Sequence, residues 1–324
     1  MLIFDKGYME LRNKYILPLS QYSIGYRNLK NNNVKELIKN KIIKVQKDGD
    51  RKYVLFFEEE LLMKALLGDI QLLFIRFILQ KNDVETVWEN RVKISENWNI
   101  VTNYYYAYYT SSLLLRLCFR GNMFLDKELK SCVETVISSE IGEIISLDSN
   151  VMYEIQKREE EFVLILSPGM ANTHELVWKE IDKLLDEVLL LTIQNSDEYT
   201  VIKLLKNINN KLGTTFPSQL RNRVNYQLLY SVAGLEKNIY PIKISEEMSW
   251  LKEILSFDSK EVCASDARIA NVFVAYGVYI KILASKLINE YYDIRGTENG
   301  ILKNINSNRE DKIEFQEYPF TFDV

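Results

Sequence analysis

Residues 97–121, NWNIVTNYYYAYYTSSLLLRLCFRG, decide how the rest of the chain is read. At 3.6 residues per turn they form a helix of about six turns. Trp98, Val101, Tyr105, Tyr108, Ser112, Leu115 and Phe119 fall on one stripe, and Tyr106, Leu113, Leu114 and Leu117 make the opposite side apolar too. A helix that is apolar nearly all round belongs in the centre of a bundle. Ala107, Ser111 and Ser112 are small enough to let neighbouring helices approach closely. Gly121 is expected to end the helix, because glycine is favoured just past a helix terminus.

On the N-terminal side, Asp83 is expected to cap a helix running through Trp88 and Val92 into the central one. Glu59 to Gln80 reads as a helical hairpin broken at Gly68-Asp69. Residues 1–58 differ in kind and read as a small α+β segment. Val34 to Asn40 suits a short helix, and IIKVQKDGDRKYVLFF suits a hairpin turning at Asp48-Gly49. A short helix followed by a hairpin is also the layout of a winged-helix module. The segment is basic: Arg27, Lys30, Lys35, Lys39, Lys41, Lys44, Lys47, Arg51 and Lys52 face only Glu36, Asp48 and Asp50. Such a patch can contact phosphates, although it is more often a solvated face.

On the C-terminal side, Asp126 to Ser138 is amphipathic, Gly142 to Glu161 is ambiguous, and Phe162 to Leu166 suits a short strand or an extended segment. Thr173 opens a helix carrying Val177, Ile181, Leu184, Val188 and Leu191. Asn195 to Glu198 has the form of a capping box, and the helix it starts closes at Gly213. Pro217 and Ser218 start another with LRNRVNYQLLY, Ser245 caps one through Trp250 and Leu255, and Ser265 or Asp266 begins a long closing helix. The expected organisation is the segment 1–58, a helical bundle over 59–294 and a polar tail over 295–324. The fold class is mostly α.

The 324 residues are 47% hydrophobic and 27% charged, with a net charge of −4, which is ordinary for a globular protein and supplies no global field toward nucleic acid or anionic membrane. Leu61 to Leu79 is apolar but interrupted by Lys64, Gly68, Asp69 and Arg76, so it reads as buried helix and not as a membrane span. The N-terminus lacks the unbroken apolar core of a signal peptide. Three separated cysteines, Cys118, Cys132 and Cys263, fit a reducing cytoplasmic compartment. One histidine, His174, argues against a structural zinc, and no metal or cofactor is expected.

Phosphate-binding glycine loops, the dinucleotide fingerprint, H-E-x-x-H and G-x-S-x-G are all missing from the sequence. His174, at a helix start, is assigned a surface or capping role. What stands out is Arg221-Asn222-Arg223-Val224-Asn225-Tyr226. Arg221 and Asn225, four apart, share a face. Arginine suits bidentate recognition of phosphate, with Asn and Tyr adding hydrogen bonds. The alternative is that these groups tie helix ends together.

The tyrosine-rich TNYYYAYYTSSLLLRL, followed much later by LRNRVNYQ and a long closing helix, resembles the HEPN superfamily. It is most similar to the branch whose first helix reads arginine or asparagine, alanine, tyrosine, tyrosine, alanine. That branch has a later arginine, then alanine or valine, aspartate or asparagine, and tyrosine. The resemblance covers about Asp83 to Tyr292 with an enlarged middle. It implies an HEPN-like up-and-down bundle that usually forms a homodimer. Many relatives are metal-independent ribonucleases of toxin–antitoxin, phage-defence or CRISPR-associated systems. In those enzymes an arginine, a polar residue and a histidine meet across the dimer and promote attack of the RNA 2′-hydroxyl on the adjacent phosphate. Carried over, the arginine is Arg221, the polar residue Asn222, and the histidine position holds Tyr226. A phenol of pKa about 10 is a poor general base at pH 7.

The expectation is therefore a cytoplasmic HEPN-like protein that binds or cleaves RNA or a nucleotide in a bacterial defence or toxin–antitoxin context. Arg221, Asn222 and Tyr226 are the catalytic candidates, while Arg223, Asn225, Tyr104 and Tyr105 are the substrate-binding ones. A protein partner, an antitoxin or a defence-system subunit, is part of the same expectation. The rivals are a non-catalytic scaffold subunit and a DNA-binding regulator using Arg27 to Lys52.

Overall fold

The computed structural model describes residues 6–24, 31–90, 95–169, 171–226 and 266–295, and within them the chain is mostly helical with one antiparallel sheet. The first helix, α1 (Lys6–Leu11), continues through a π-helical turn (Arg12–Ile16) into a final turn, α2 (Leu17–Leu19). Helix starts leave backbone N–H groups unpaired. Here the Tyr8 amide donates to the buried carboxylate of Glu198 at 3.1 Å. Helix α3 (Val34–Asn40) is capped by Asn33, whose side chain accepts from the Glu36 amide. Strands β1 (Lys44–Lys47) and β2 (Tyr53–Phe56) then form the hairpin expected around Asp48-Gly49.

Helix α4 (Glu59–Glu89) runs unbroken for 31 residues, where a hairpin and a second, Asp83-capped helix were expected. Gly68 does not break it. Glycine is needed there for close approach, since a Cβ would stand 1.6 Å from the carbonyl oxygen of Asn32. Its helix-propensity cost of about 1 kcal/mol is small beside the burial of Leu66, Leu67, Ile70, Phe74 and Phe77 around it.

The central helix, α5 (Glu96–Leu117), starts at Ser95, whose hydroxyl accepts from the Trp98 amide. It ends earlier than expected. Cys118 and Phe119 turn the chain, Phe119 in the left-handed region at φ 60°, and Arg120–Phe124 is strand β3. Gly121 therefore lies in a strand and does not terminate the helix. Helix α6 (Lys127–Ile141) is capped by Asp126 and followed by Gly142, the first residue past its end. Strands β4 (Asn150–Arg158) and β5 (Glu161–Pro168) take up much of the stretch that read as ambiguous.

The sheet order is β1-β2-β5-β4-β3. Tyr53 is opposite Leu166, Leu55 opposite Leu164 and Gly121 opposite Tyr153. Successive residues alternate faces. Val45, Tyr53, Leu55, Tyr153, Leu164 and Leu166 thus join the main core, while Val54, Val163 and Ile165 form a small second cluster. The N-terminal hairpin is in this way part of a sheet completed by the middle of the chain. Cations of α3 and of the hairpin meet acids at the cap of α6, in α6 and in the loop after it: Lys35–Asp126 at 2.8 Å, Lys39–Glu128 at 2.7 Å, Lys47–Glu143 at 2.6 Å and Arg51–Asp148 at 2.6 Å. Exposed pairs contribute little stability each.

Among the described residues four more helices follow: α7 (Thr173–Leu191), α8 (Asp197–Leu212), α9 (Phe216–Tyr226) and α10 (Asp266–Arg295). Ser196 caps α8, accepting from the Tyr199 amide, so the capping box expected from Asn195 to Glu198 does not form. The Glu198 carboxylate accepts from the Tyr8 amide instead, and Gly213 closes the helix as expected. α4, α7, α9 and α10 all contact α5, which accounts for its apolar circumference. Val272–Arg295 is long and apolar enough to cross a membrane by length and composition, and 88% of its most apolar window is buried inside the fold. The expected helix from Ser245 and the polar tail lie outside the described residues, as does Cys263.

Candidate functional site

Tyrosines at positions 104, 105, 108 and 109 stand at i, i+1, i+4 and i+5, so they form two neighbouring stripes on one side of α5. Tyr106 turns the other way, onto Phe77 and under the ammonium group of Lys281. The stripes face the start of α7 and the body of α9. Tyr104, fully buried, is the hub. Its hydroxyl lies 3.0 Å from His174 Nδ1, 3.3 Å from Ser218 Oγ and 3.4 Å from Trp178 Nε1.

The indole N–H can only donate, so Tyr104 accepts from Trp178. Two proton arrangements satisfy the other contacts. Tyr104 donates to Nδ1 and accepts from Ser218, or it accepts from Nδ1–H and donates to Ser218. The second arrangement leaves His174 Nε2 without a proton, and therefore able to accept one.

His174 is half-buried, with its ring centroid 4.4 Å from that of Tyr108, 5.9 Å from Tyr104 and 6.3 Å from Tyr105. It does not cap α7, contrary to the role expected of it. Asn172 does, its side chain accepting from the Glu175 amide at 3.0 Å. Arg221, from α9, donates through Nη2 to the Tyr105 hydroxyl at 2.6 Å and through Nη1 to Asn222 Oδ1 at 2.9 Å. Its guanidinium carbon lies 5.9 Å and 5.6 Å from the ring centroids of Tyr104 and Tyr105. Among the described residues its Nε is buried without a hydrogen-bond partner.

Burial, and next the Arg221 charge, push the His174 pKa below its ordinary 6.5. Burial likewise raises Tyr104 to about 12, so it stays a neutral phenol. At pH 7 the cluster therefore presents one permanent cation, one neutral imidazole and protonated phenols. Among the described residues no group of three or more metal-ligating side chains gathers.

Because the chain has a single histidine, its ring C–H signals can be followed by NMR without assignment. The expected midpoint lies below 6.5 and rises toward it in Arg221→Ala, which removes one of the two causes. A native-state pKa below the unfolded one means that stability from this group is complete above pH 6.5 and declines as pH falls through the native pKa. A midpoint above 6.5 in the native protein would contradict the arrangement described.

Of the residues singled out from sequence, Tyr104, Tyr105 and Arg221 come together, and Asn222 joins them through Arg221. Arg223 and Asn225 lie on the exposed side of α9, and Tyr226 is 75% exposed near its end. His174, Tyr108, Ser218 and Trp178 complete the cluster and were not anticipated. Nothing local relates position 174 to 104 or 221; the one available signal was that the histidine is unique. Comparison with known proteins adds no relative, for no family model, curated protein or solved structure matches the chain.

Proposed function

We propose that the cluster of Tyr104, Tyr105, His174 and Arg221 binds RNA at a phosphate and promotes metal-independent cleavage beside it. The observation that carries this reading is that two consecutive tyrosines of α5 hold, respectively, a neutral imidazole and a permanent guanidinium. Those are the two groups such a reaction needs. His174 Nε2 takes the proton of the ribose 2′-hydroxyl, and the O2′–P bond forms. Arg221 stabilises the added charge on the phosphoryl oxygens. The P–O5′ bond then breaks, water protonates the departing oxygen, and a 2′,3′-cyclic phosphate and a 5′-hydroxyl remain.

The resemblance to HEPN proteins supports the same reading, with one difference. The imidazole here comes from α7 of the same chain, while the position of the family histidine holds the exposed Tyr226. An HEPN-like bundle built around α5, and a defence or toxin–antitoxin context, belong to this proposal and rest on that resemblance. The DNA-binding alternative is less favoured, because several cations of the N-terminal segment already face carboxylates.

The test is incubation of wild type, His174→Gln and Arg221→Ala with mixed cellular RNA and a chelator. Cyclic-phosphate ends are expected from wild type alone. Equal products from all three would rule out this site, and no cleavage by any, with RNA binding also lacking, would favour the scaffold reading.

A further inference from the structure

Behind the candidate site lies a buried polar chain that the proposed chemistry does not use. Arg116, at the end of α5, is buried beside Asp69 of α4, with Nε 4.0 Å from its carboxylate. Tyr153 of β4 donates to the same carboxylate at 3.1 Å. The strand after α5 turns back over this guanidinium. A Cβ on Gly121 would stand 2.4 Å from Arg116 Cζ and 2.5 Å from Tyr153 Cζ, so only glycine lets β3 lie so close.

The next residue, Asn122, is buried and reaches three elements. Its backbone oxygen accepts from Arg116 Nη2 at 2.7 Å, and its Oδ1 faces Nη1 at 3.4 Å. Its Nδ2 donates to Thr173 O at 3.2 Å, the residue before His174. Tyr108, on the same helix as Arg116, packs its ring on that of His174 at a centroid distance of 4.4 Å.

The amide orientation follows from these partners. Oδ1 must face the guanidinium and Nδ2 the carbonyl, since the reverse places donor against donor and acceptor against acceptor. An aspartate could satisfy Arg116 but not Thr173.

We propose that Asn122 is a positioning residue for this site: one buried residue ties the end of α5, through Arg116, to the first turn of α7, through Thr173, and so sets where His174 stands relative to Arg221. The inference rests on the reading of His174 as the working imidazole. The groups around that ring are Tyr104, Tyr105 and Tyr108 from α5 and Arg221 from α9, with Glu175 beside it on α7.

The experiment is NMR of the single histidine in full-length wild type, Asn122→Asp and Asn122→Ala, alongside steady-state cleavage of a mixed-sequence single-stranded oligoribonucleotide. In Asn122→Asp the histidine signals are expected to move and the midpoint to rise by about 0.5 unit or more, because a carboxylate replaces a neutral amide near the ring. kcat is expected to fall about tenfold with KM little changed, as for a misplaced catalytic group. Asn122→Ala removes the amide without adding a charge and keeps the test open if the aspartate variant does not fold. It is expected to shift the same signals.

Histidine signals and midpoint unchanged in the folded variants would overturn the proposal, whatever the RNA assay gives. Wild type inactive on RNA, with histidine signals that still respond to Asn122, would retire the RNA reading and leave the positioning role standing.

Discussion

Arg221→Ala is expected to weaken binding of single-stranded RNA about ten- to hundredfold and to abolish cleavage. A hydrogen bond from a charged group contributes about 1.5–3 kcal/mol, and each 1.4 kcal/mol is a factor of ten. Much of that is available to a ligand, because the guanidinium is only partly buried and its present partners are a phenol and an amide, not a carboxylate. The fold loses little. Stacking on Tyr104 and Tyr105 and the bond to the Tyr105 hydroxyl amount to about 1 kcal/mol at a partly exposed site. Arg221→Lys keeps the charge but cannot bridge two oxygens from one planar group, so an intermediate loss is expected. Fluorescence anisotropy at one fixed salt concentration measures both variants, since phosphate contacts depend steeply on salt. Wild-type affinity in Arg221→Ala would remove this residue, and the reading built on it, from consideration.

The second large effect concerns stability. Gly68→Ala is expected to destabilise the protein by at least about 3 kcal/mol, at or above the usual upper end for overpacking. Helix propensity alone predicts the opposite sign, a gain of about 1 kcal/mol for alanine inside a helix. The sign is decided by the Asn32 carbonyl, which a Cβ would meet at 1.6 Å. That atom is backbone and lies just before the Asn33 cap of α3, so relief requires moving the whole entry to that helix. Urea denaturation reads the result directly. A midpoint equal to or above that of wild type would mean that the loop before α3 does not rest on α4.

What could be read from the sequence was what is encoded locally. Asp48-Gly49 and Gly213 mark their hairpin and helix end with nearby residues, and each lies where expected, while the cap of α8 falls on Ser196, one residue past the expected Asn195. Tyr104, Tyr105 and Arg221 were legible because they sit in short, unusual runs. The misreadings have long-range causes. Gly68 and Gly121 look like helix breakers in one dimension, yet each serves a close approach, Gly68 to the Asn32 carbonyl and Gly121 to Arg116 of α5 and Tyr153 of the neighbouring strand. Strand β4 carries buried residues on both faces of the sheet, so it shows no clear alternation. His174 was read as a surface or capping residue because its partners come from α5 and α9, and no spacing rule connects them.

The pairing of β2 with β5 also bears on how the chain is made. Tyr53 must wait for Leu166, 113 residues later, before β2 acquires its second neighbour. At roughly 5–20 residues per second of synthesis, that delay is on the order of 6–20 seconds. Throughout it, Tyr53-Val54-Leu55-Phe56 offers an apolar strand with an unfilled edge, able to pair with any other nascent chain. The lysines and arginine of the neighbouring hairpin residues, Lys44, Lys47, Arg51 and Lys52, then act as gatekeepers by like-charge repulsion between copies. The carboxylate partners of Lys47 and Arg51, Glu143 and Asp148, emerge later, so the basic character of this segment is greatest while protection from aggregation is most needed.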